Sequence, residues 1–343
     1  MTDAAFNSHS SSKPSGIDET VLSTLLSGQW VSHLQLAMTN SKDTTEYMLH
    51  EFQRFRDAGC EIEEDPVNGF RLLRSGLGVW VDYLRFFHGD NRLIEVYRQT
   101  ASTQDAVRRL IDVHGRGAHG ALAIADHQSA GRGRLGRSWV APADSAVLVS
   151  LAHVGPPGAA LQPNHLAIAA AVAVARACLD CTAVPTAQGL RQRHDIRIKW
   201  PNDILVGGRK LAGILIEALP QQGAAIIGIG LNVSLTVTQM PADLQDRVTS
   251  LRMLGASCDR LLVLSALVRE LDRALSPDAD KDALVRAWRD HNHFSGNEPV
   301  TFKCDGRTIR GCVLDVDADA GLIVRMETGE LVNLPAATTS VVA

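Results

Sequence analysis

The chain has 343 residues, enough for two or three domains that each bury a core. Hydrophobic residues make up 45% and charged residues 21%, which excludes a largely disordered chain and an unusually apolar one. The net charge of −4 leaves no general basic excess, so a nucleic-acid partner would need a local patch.

Residues 1–19 are Ser-rich, with neither the apolar run of a signal peptide nor the Arg-rich character of a transit peptide, and are expected to be a disordered tail. Residues 20–75 follow as a small helical unit with a hairpin. Val21, Leu22, Leu25 and Leu26 have helical spacing, and a short segment covers His33 to Met38. A longer helix is predicted from Lys42 to Ala58, stopped by Gly59. Glu61–Glu64 and Phe70–Leu73 flank Asn68-Gly69, a strong hairpin signal. Three helices and a hairpin predict a winged helix-turn-helix. Residues 76–95 read as a connector.

Residues 96–292 mix strands and helices. Ala121–Ala125 and Ala146–Leu151 read as buried strands, and Asn164–Leu179 as a buried helix with Asn164 as its cap. The ten apolar residues Leu166–Ala175 are too few to span a bilayer. Strand patterns recur at Ile196–Trp200, Gly213–Glu217 and Ala224–Gly228, and helical ones at Leu261–Leu275 and Ala283–Trp288. Residues 293–343 change character. Short strands separated by Asp305-Gly306, Ala320-Gly321 and Thr328-Gly329 predict a small β-barrel. The six cysteines are expected to be reduced thiols in a cytoplasm; Cys178-x-x-Cys181 has no second pair with which to complete a zinc site and reads as packing.

Three segments carry chemistry. Gly131-Arg132-Gly133-Arg134-Leu135-Gly136-Arg137-Ser138-Trp139 alternates glycines, which let backbone approach an anion, with arginines, whose planar forks match phosphate or carboxylate oxygens. Lys199-Trp200-Pro201-Asn202-Asp203 and Gly207-Gly208-Arg209-Lys210-Leu211-Ala212-Gly213 read as a strand, a turn, a Gly-Gly hairpin and a return strand, so that Asp203 and Lys210 could meet at one end of a sheet. Such a lysine neutralises phosphate charge, and such an aspartate positions an amine or takes its proton. Gly228-Ile229-Gly230-Leu231-Asn232-Val233 is not a complete dinucleotide fingerprint, because its sixth residue is Val233.

In this order and rough spacing, GRGRLGRSW, KWPND, GRKLAGIL and GIGLNV resemble the biotin–protein ligases over residues 95–340 and, more weakly, over 20–75. The resemblance implies an α+β chain: an N-terminal winged helix-turn-helix as in the biotin operon repressors, a central mixed-sheet catalytic domain like that of class II aminoacyl-tRNA synthetases, and a C-terminal SH3-like β-barrel. It implies that Ser102, Thr103, Gln104 and Gln128 contact biotin, with Gly213 beside them. Arg132, Gly133 and Arg134 would form a loop ordering over biotin and its adenylate, and Lys210 would bind the reacting carboxylate and α-phosphate. Trp139, Asn202, Gly230, Leu231 and Asn232 would lie on the nucleotide side, with Asp203 beside the acceptor lysine. Gln104 departs from a common Asn, and Leu135 from a frequent arginine.

The implied reaction joins biotin and ATP, with Mg²⁺ on the phosphates at ligands the sequence does not specify, as biotinyl-5′-adenylate. The biotinyl group then passes to a lysine of a biotin carboxyl carrier domain. Family members with the winged helix can also act as adenylate-loaded dimeric repressors. Glu19–Ser75, however, holds five Lys or Arg against nine Asp or Glu, a net charge of −4, which predicts weak DNA binding. With that unit detached from DNA, residues 1–75 are also expected to be dispensable for ligation. Two alternatives stand beside this reading: a lipoate–protein ligase, and a biotin-sensing transcription factor with feeble ligase activity.

Overall fold

The computed structural model describes residues 5–6, 17–39, 45–89, 91–182, 184–185, 191–192, 194–256, 258–294, 296 and 298–342. Strand β1 (Ala5–Phe6) pairs antiparallel with Val96 and Tyr97, so part of the predicted tail is sheet. Asp18 caps α1 (Glu19–Leu25), its carboxylate accepting from the N–H groups of Thr20 and Val21 at 3.1 Å each. Then come α2 (His33–Thr39), α3 (Thr45–Asp57) and the hairpin of β2 (Glu61–Asp65) and β3 (Gly69–Arg74). Lys42 and Asp43, from the predicted start of the longer helix, lie outside the described residues. Val31 bridges Phe70, adding a third extended segment to the hairpin.

The predicted connector is instead packed structure. Within it, α4 (Trp80–His88) buries Trp80, Tyr83 and Leu84, and β4 (Ile94–Thr100) begins. Its apolar residues recur at helical spacing, but over too few turns to stand out from the sequence alone.

The central elements are α5 (Thr103–His114), β5 (Leu122–Gln128), β6 (Ala146–Val154), α6 (Pro163–Thr182), the short pair β7 (Val184–Pro185) and β8 (Arg191–Gln192), β9 (Ile196–Lys199), β10 (Asp203–Val206), β11 (Arg209–Leu219) and β12 (Ala224–Asn232). Together with β1 they form an eight-stranded sheet in the order β1-β4-β5-β6-β12-β11-β10-β9, with β7 and β8 paired apart from it. Only β4–β5 is parallel among its described pairs, so the sheet is mixed, as expected.

Period-two alternation assigns the two faces. Ile124, Val149 and Ile227 join a core under α6 and α7 (Arg260–Ala274), while Ala125, Ala152 and Ile226 join a second core under α5. Helix α6 is apolar all round and sits between the sheet, α7 and α8 (Lys281–Asp290). By length and composition alone α6 could cross a membrane, but 72% of its apolar window is buried inside the protein. It begins at Pro163, not at a capping Asn164; Asn164 uses its side chain across the fold instead.

The last elements, β13 (Pro299–Cys304), β14 (Arg307–Asp317), β15 (Gly321–Met326), β16 (Leu331–Leu334) and β17 (Thr339–Val341), form an antiparallel sheet in the order β16-β15-β14-β13-β17.

One core cluster runs from Val21, Leu22 and Phe52 through Trp80 to the central sheet and on to Phe302 and Leu322. The N-terminal unit is also fastened by polar contacts. Ser75 donates from its N–H and its hydroxyl to the Asp259 carboxylate, at 2.7 Å each. Arg74 pairs with Asp144 at 2.9 Å, and the buried Arg260 joins Asp144 (2.6 Å) to Asp126 (2.5 Å). The Arg260 guanidinium stacks over Trp80, whose indole N–H donates to Ser75 Oγ at 3.0 Å.

Candidate active site

A cleft of about 790 Å³ opens between the loop at residues 131–139, the central sheet and the C-terminal sheet. Its inner end is the N-terminus of α5. Ser102 caps that helix, accepting from the Gln104 N–H at 3.3 Å. Gln128, at the end of β5, accepts from the Thr103 N–H (2.8 Å) and hydroxyl (3.1 Å), and the Thr103 and Ser150 hydroxyls are 2.8 Å apart. Gln104 Nε2 donates to the Leu215 carbonyl at 3.0 Å, while Gln104 Oε1 is buried with no hydrogen-bond partner among the described residues. A buried, unsatisfied acceptor costs about 1–3 kcal/mol and is suited to a ligand donor. Gly228 makes room for this glutamine, since a Cβ there would stand 2.7 Å from Gln104 Nε2.

The opposite end is cationic. The β10–β11 turn is Gly207-Gly208, with φ of 55° and 74°, the left-handed pair that a tight hairpin requires. A register shift follows: Ile204 pairs with Ala212, but Leu205 with Lys210. That one-residue bulge turns Lys210 onto the face that carries Asp203. Lys210 Nζ lies 2.6 Å from Asp203 Oδ1 and 5.5 Å from the centre of the Trp139 ring. The Lys210 backbone is clamped by Arg247 and Thr249.

Trp139 lies across Gly230 and Gly213, where a Cβ would meet its ring at 2.3 Å and 2.8 Å. Its indole nitrogen is buried without a partner among the described residues. The cleft lining includes Arg132, Arg134, Arg137, Lys199, Lys210, Arg247 and Lys303 against Asp203 and Asp246, a marked positive excess.

The loop arginines are held by protein groups. Arg132 pairs with Asp105 at 2.9 Å and Glu217 at 3.3 Å, and the Asp105 hydrogen bond raises its pKa further. Burial lowers that of Arg134, opposed by the charge of Asp203. Leu135, which follows Arg134, is exposed with φ at +57°, a left-handed conformation costing a leucine about 1–2 kcal/mol.

Ser102, Thr103, Gln104, Gln128, Arg132, Gly133, Arg134, Trp139, Asn202, Asp203, Lys210, Gly213 and Gly230 therefore meet in one cleft. Leu231 and Asn232 do not line it. Leu231 points into the core, and Asn232 Nδ2 donates to the Thr249 carbonyl at 3.0 Å, tying down the segment beside Lys210. The strand alternation that brings Gly230 to the cleft turns Leu231 away. Sequence reading missed Ser150, Arg247 and Lys303. Ser150 had a signal, a polar residue within a buried apolar strand; the others are ordinary surface cations until folding gathers them. Among the described residues no group of three or more His, Cys, Asp or Glu could hold a metal, and Cys178 is buried in α6.

The sequence model of the biotin/lipoate A/B protein ligase family matches residues 96–234. The chain is 34% identical over 255 residues to a biotin–[acetyl-CoA-carboxylase] ligase of Mycobacterium tuberculosis, covering 71% of this chain and 90% of the relative. It is 27% identical over 319 residues to the bifunctional ligase/repressor BirA of Escherichia coli, covering 90% and 92%. A biotin protein ligase from Aquifex aeolicus, solved with biotin and ATP, shares the fold, with a TM-score of 0.58 at 22% identity over 73% of this chain and 98% of that one.

Proposed function

This chain belongs to the biotin–[acetyl-CoA-carboxylase] ligase family, and from that premise we propose how its cleft performs ATP-dependent biotin ligation. The observation that carries the reading is a single cleft with a neutral hydrogen-bonding end at α5 and a cation-rich end at Lys210. Biotin's ureido ring offers N–H donors and a carbonyl acceptor. Gln104 Oε1 is an acceptor for the former, and the Ser102 hydroxyl at the start of α5 is a donor for the latter. The valerate carboxylate then points toward Lys210.

Lys210, Arg132 and Arg134 stabilise charge on the carboxylate, the α-phosphate and the departing diphosphate. Trp139 and Gly230 form the floor of the nucleotide side, with Asn202 at its edge. Asp203 and Asp246, the two carboxylates lining the cleft, are the residues that would hold Mg²⁺ alongside the phosphates, whose charge it would help to neutralise. Closure of the 131–139 loop shields the mixed anhydride from water. The incoming amine of a carboxyl carrier domain is placed by Asp203, attacks the activated carbonyl and releases AMP. KWPND followed by GRKLAG favours biotin over lipoate.

We read residues 20–75 as a winged helix-turn-helix and 293–343 as an SH3-like barrel, both in a cytoplasmic enzyme. The N-terminal unit is assigned no operator binding, because Arg54, Arg56, Arg71 and Arg74 are each paired with a carboxylate of the same unit. The deciding experiment incubates the protein with radiolabelled biotin, ATP, Mg²⁺ and a carboxyl carrier domain. Label on the carrier that depends on ATP is expected; transfer of lipoate and not biotin would reject the assignment.

A further inference from the structure

Arg134 reaches away from its own loop. Its Nη2 donates to the carbonyls of Ala336 (2.8 Å) and Ala337 (3.2 Å), in the segment joining β16 to β17, and of Thr339 (2.9 Å), where β17 begins. Among the described residues it has no carboxylate within ion-pair distance, so carbonyl dipoles are its close partners. The same segment is held from behind. The Ala336 N–H donates to Asn164 Oδ1 at 2.7 Å, and Asn164 Nδ2 donates at 2.6 Å to the carbonyl of Asp319, between β14 and β15.

Asn164 is 8% exposed and stands in the first turn of α6, the helix at the centre of the core. Its side chain does not cap its own helix; both ends serve the C-terminal sheet. A continuous series of hydrogen bonds thus runs from the core helix through the 335–339 turn to an arginine lining the cleft. The C-terminal sheet also forms part of the cleft wall, through Lys303 on β13 and Ser340 beside it on β17.

We propose that Asn164 is a positioning residue for Arg134, and that the C-terminal sheet is the anchor of the loop that retains the adenylate. The proposal rests on the reading of the cleft as an adenylating site. If the 335–339 turn shifts, the guanidinium loses three acceptors together, and the loop loses its attachment to a rigid element. Asn164 lies outside the biotin-contacting end, so its loss acts on adenylate retention and leaves biotin capture intact.

The test uses the full chain loaded with biotin and α-labelled ATP, followed by timed gel filtration. Asn164→Ala is expected to release the adenylate about tenfold faster, the scale of losing a buried hydrogen-bonded link, with biotin affinity within about twofold of wild type. Arg134→Ala should release it at least as fast. In the double variant Asn164 should add nothing, because its effect passes through Arg134. A purely structural asparagine would lower the melting temperature and leave release unchanged, or add its effect to that of Arg134→Ala; either result overturns the proposal. If Asn164→Ala does not fold, Asn164→Ser, whose hydroxyl is too short to make both contacts, is read by the same criteria. A wild-type protein that forms no adenylate would overturn the cleft assignment itself, which separates the two failures.

Discussion

The N-terminal unit and the catalytic cleft use arginine in opposite ways. In the hairpin, Arg71 faces Glu63 and Arg74 faces Glu61 in cross-strand register, while Arg56 and Arg54 of α3 pair with Glu64 and Glu51. Every one of these cations has a near neighbour of opposite sign, so little field extends outward. In the cleft, seven Lys or Arg residues line a space that only two aspartates share, and among the described residues only Arg132 and Lys210 of the seven are ion-paired. That concentration is tolerable when an anion is to be bound. A cation count is therefore a poor guide to anion binding; what matters is whether the fold has already paired the cations.

Four experiments would break or sharpen this comparison. The largest effect is expected where the two regions join. Arg260→Ala strands the buried Asp126 and cuts the link through Asp144 to Arg74, and should cost about 3–5 kcal/mol in urea unfolding. A loss below about 1 kcal/mol, the scale of an exposed pair, would mean that apolar packing and the Ser75–Asp259 hydrogen bonds hold the unit on. Either way, residues 1–75 are not an appendage: their apolar side chains share one core with Trp80 and the central sheet. Truncation at residue 76 is accordingly expected to lower the melting temperature, while ligation by the fraction that stays folded tests the dispensability expected from charge.

Next in size is Lys210→Ala. It removes a cation from the centre of the cleft, and single-turnover adenylation should fall about 10–200-fold, matching the 1.5–3 kcal/mol of a charged hydrogen bond. Asp203, freed of its partner, gives the variant a second signature in slower transfer to the carrier. Wild-type rates in both steps would remove Lys210 from the mechanism.

The smallest effect is expected from DNA. A fluorescence titration with DNA from upstream of biotin-synthesis genes, with biotin and ATP present, should show weak binding that changes little between two salt concentrations, because the hairpin arginines have no free charge to exchange for counterions. Tight, adenylate-dependent and steeply salt-sensitive binding would show that the pairs open on DNA and that the contrast between the two regions is not fixed.

Much of the site was legible from local rules. The Gly-Gly turn, the alternation of β9 to β11 and the glycine–arginine loop depend on neighbours a few residues apart, so their conformations follow from the residues themselves. Gly59 announced a helix end for the same reason. The bulge that turns Lys210 toward Asp203 was beyond such rules, because it depends on the strand opposite and on the 247–249 segment clamped to it.

The sequence by itself determined the order of the elements, the chemistry of the motifs and the acidity of the N-terminal unit. Only the tertiary structure decided that Leu231 is core while Gly230 is cleft, that Asn164 serves a sheet more than 150 residues away, and that Arg134 is held by carbonyls over 200 residues downstream. The physical reason is range. A turn or a cap is stabilised by bonds that close within a few residues, whereas the partner of a long polar side chain is set by which surfaces the core brings together, and no local pattern encodes that meeting.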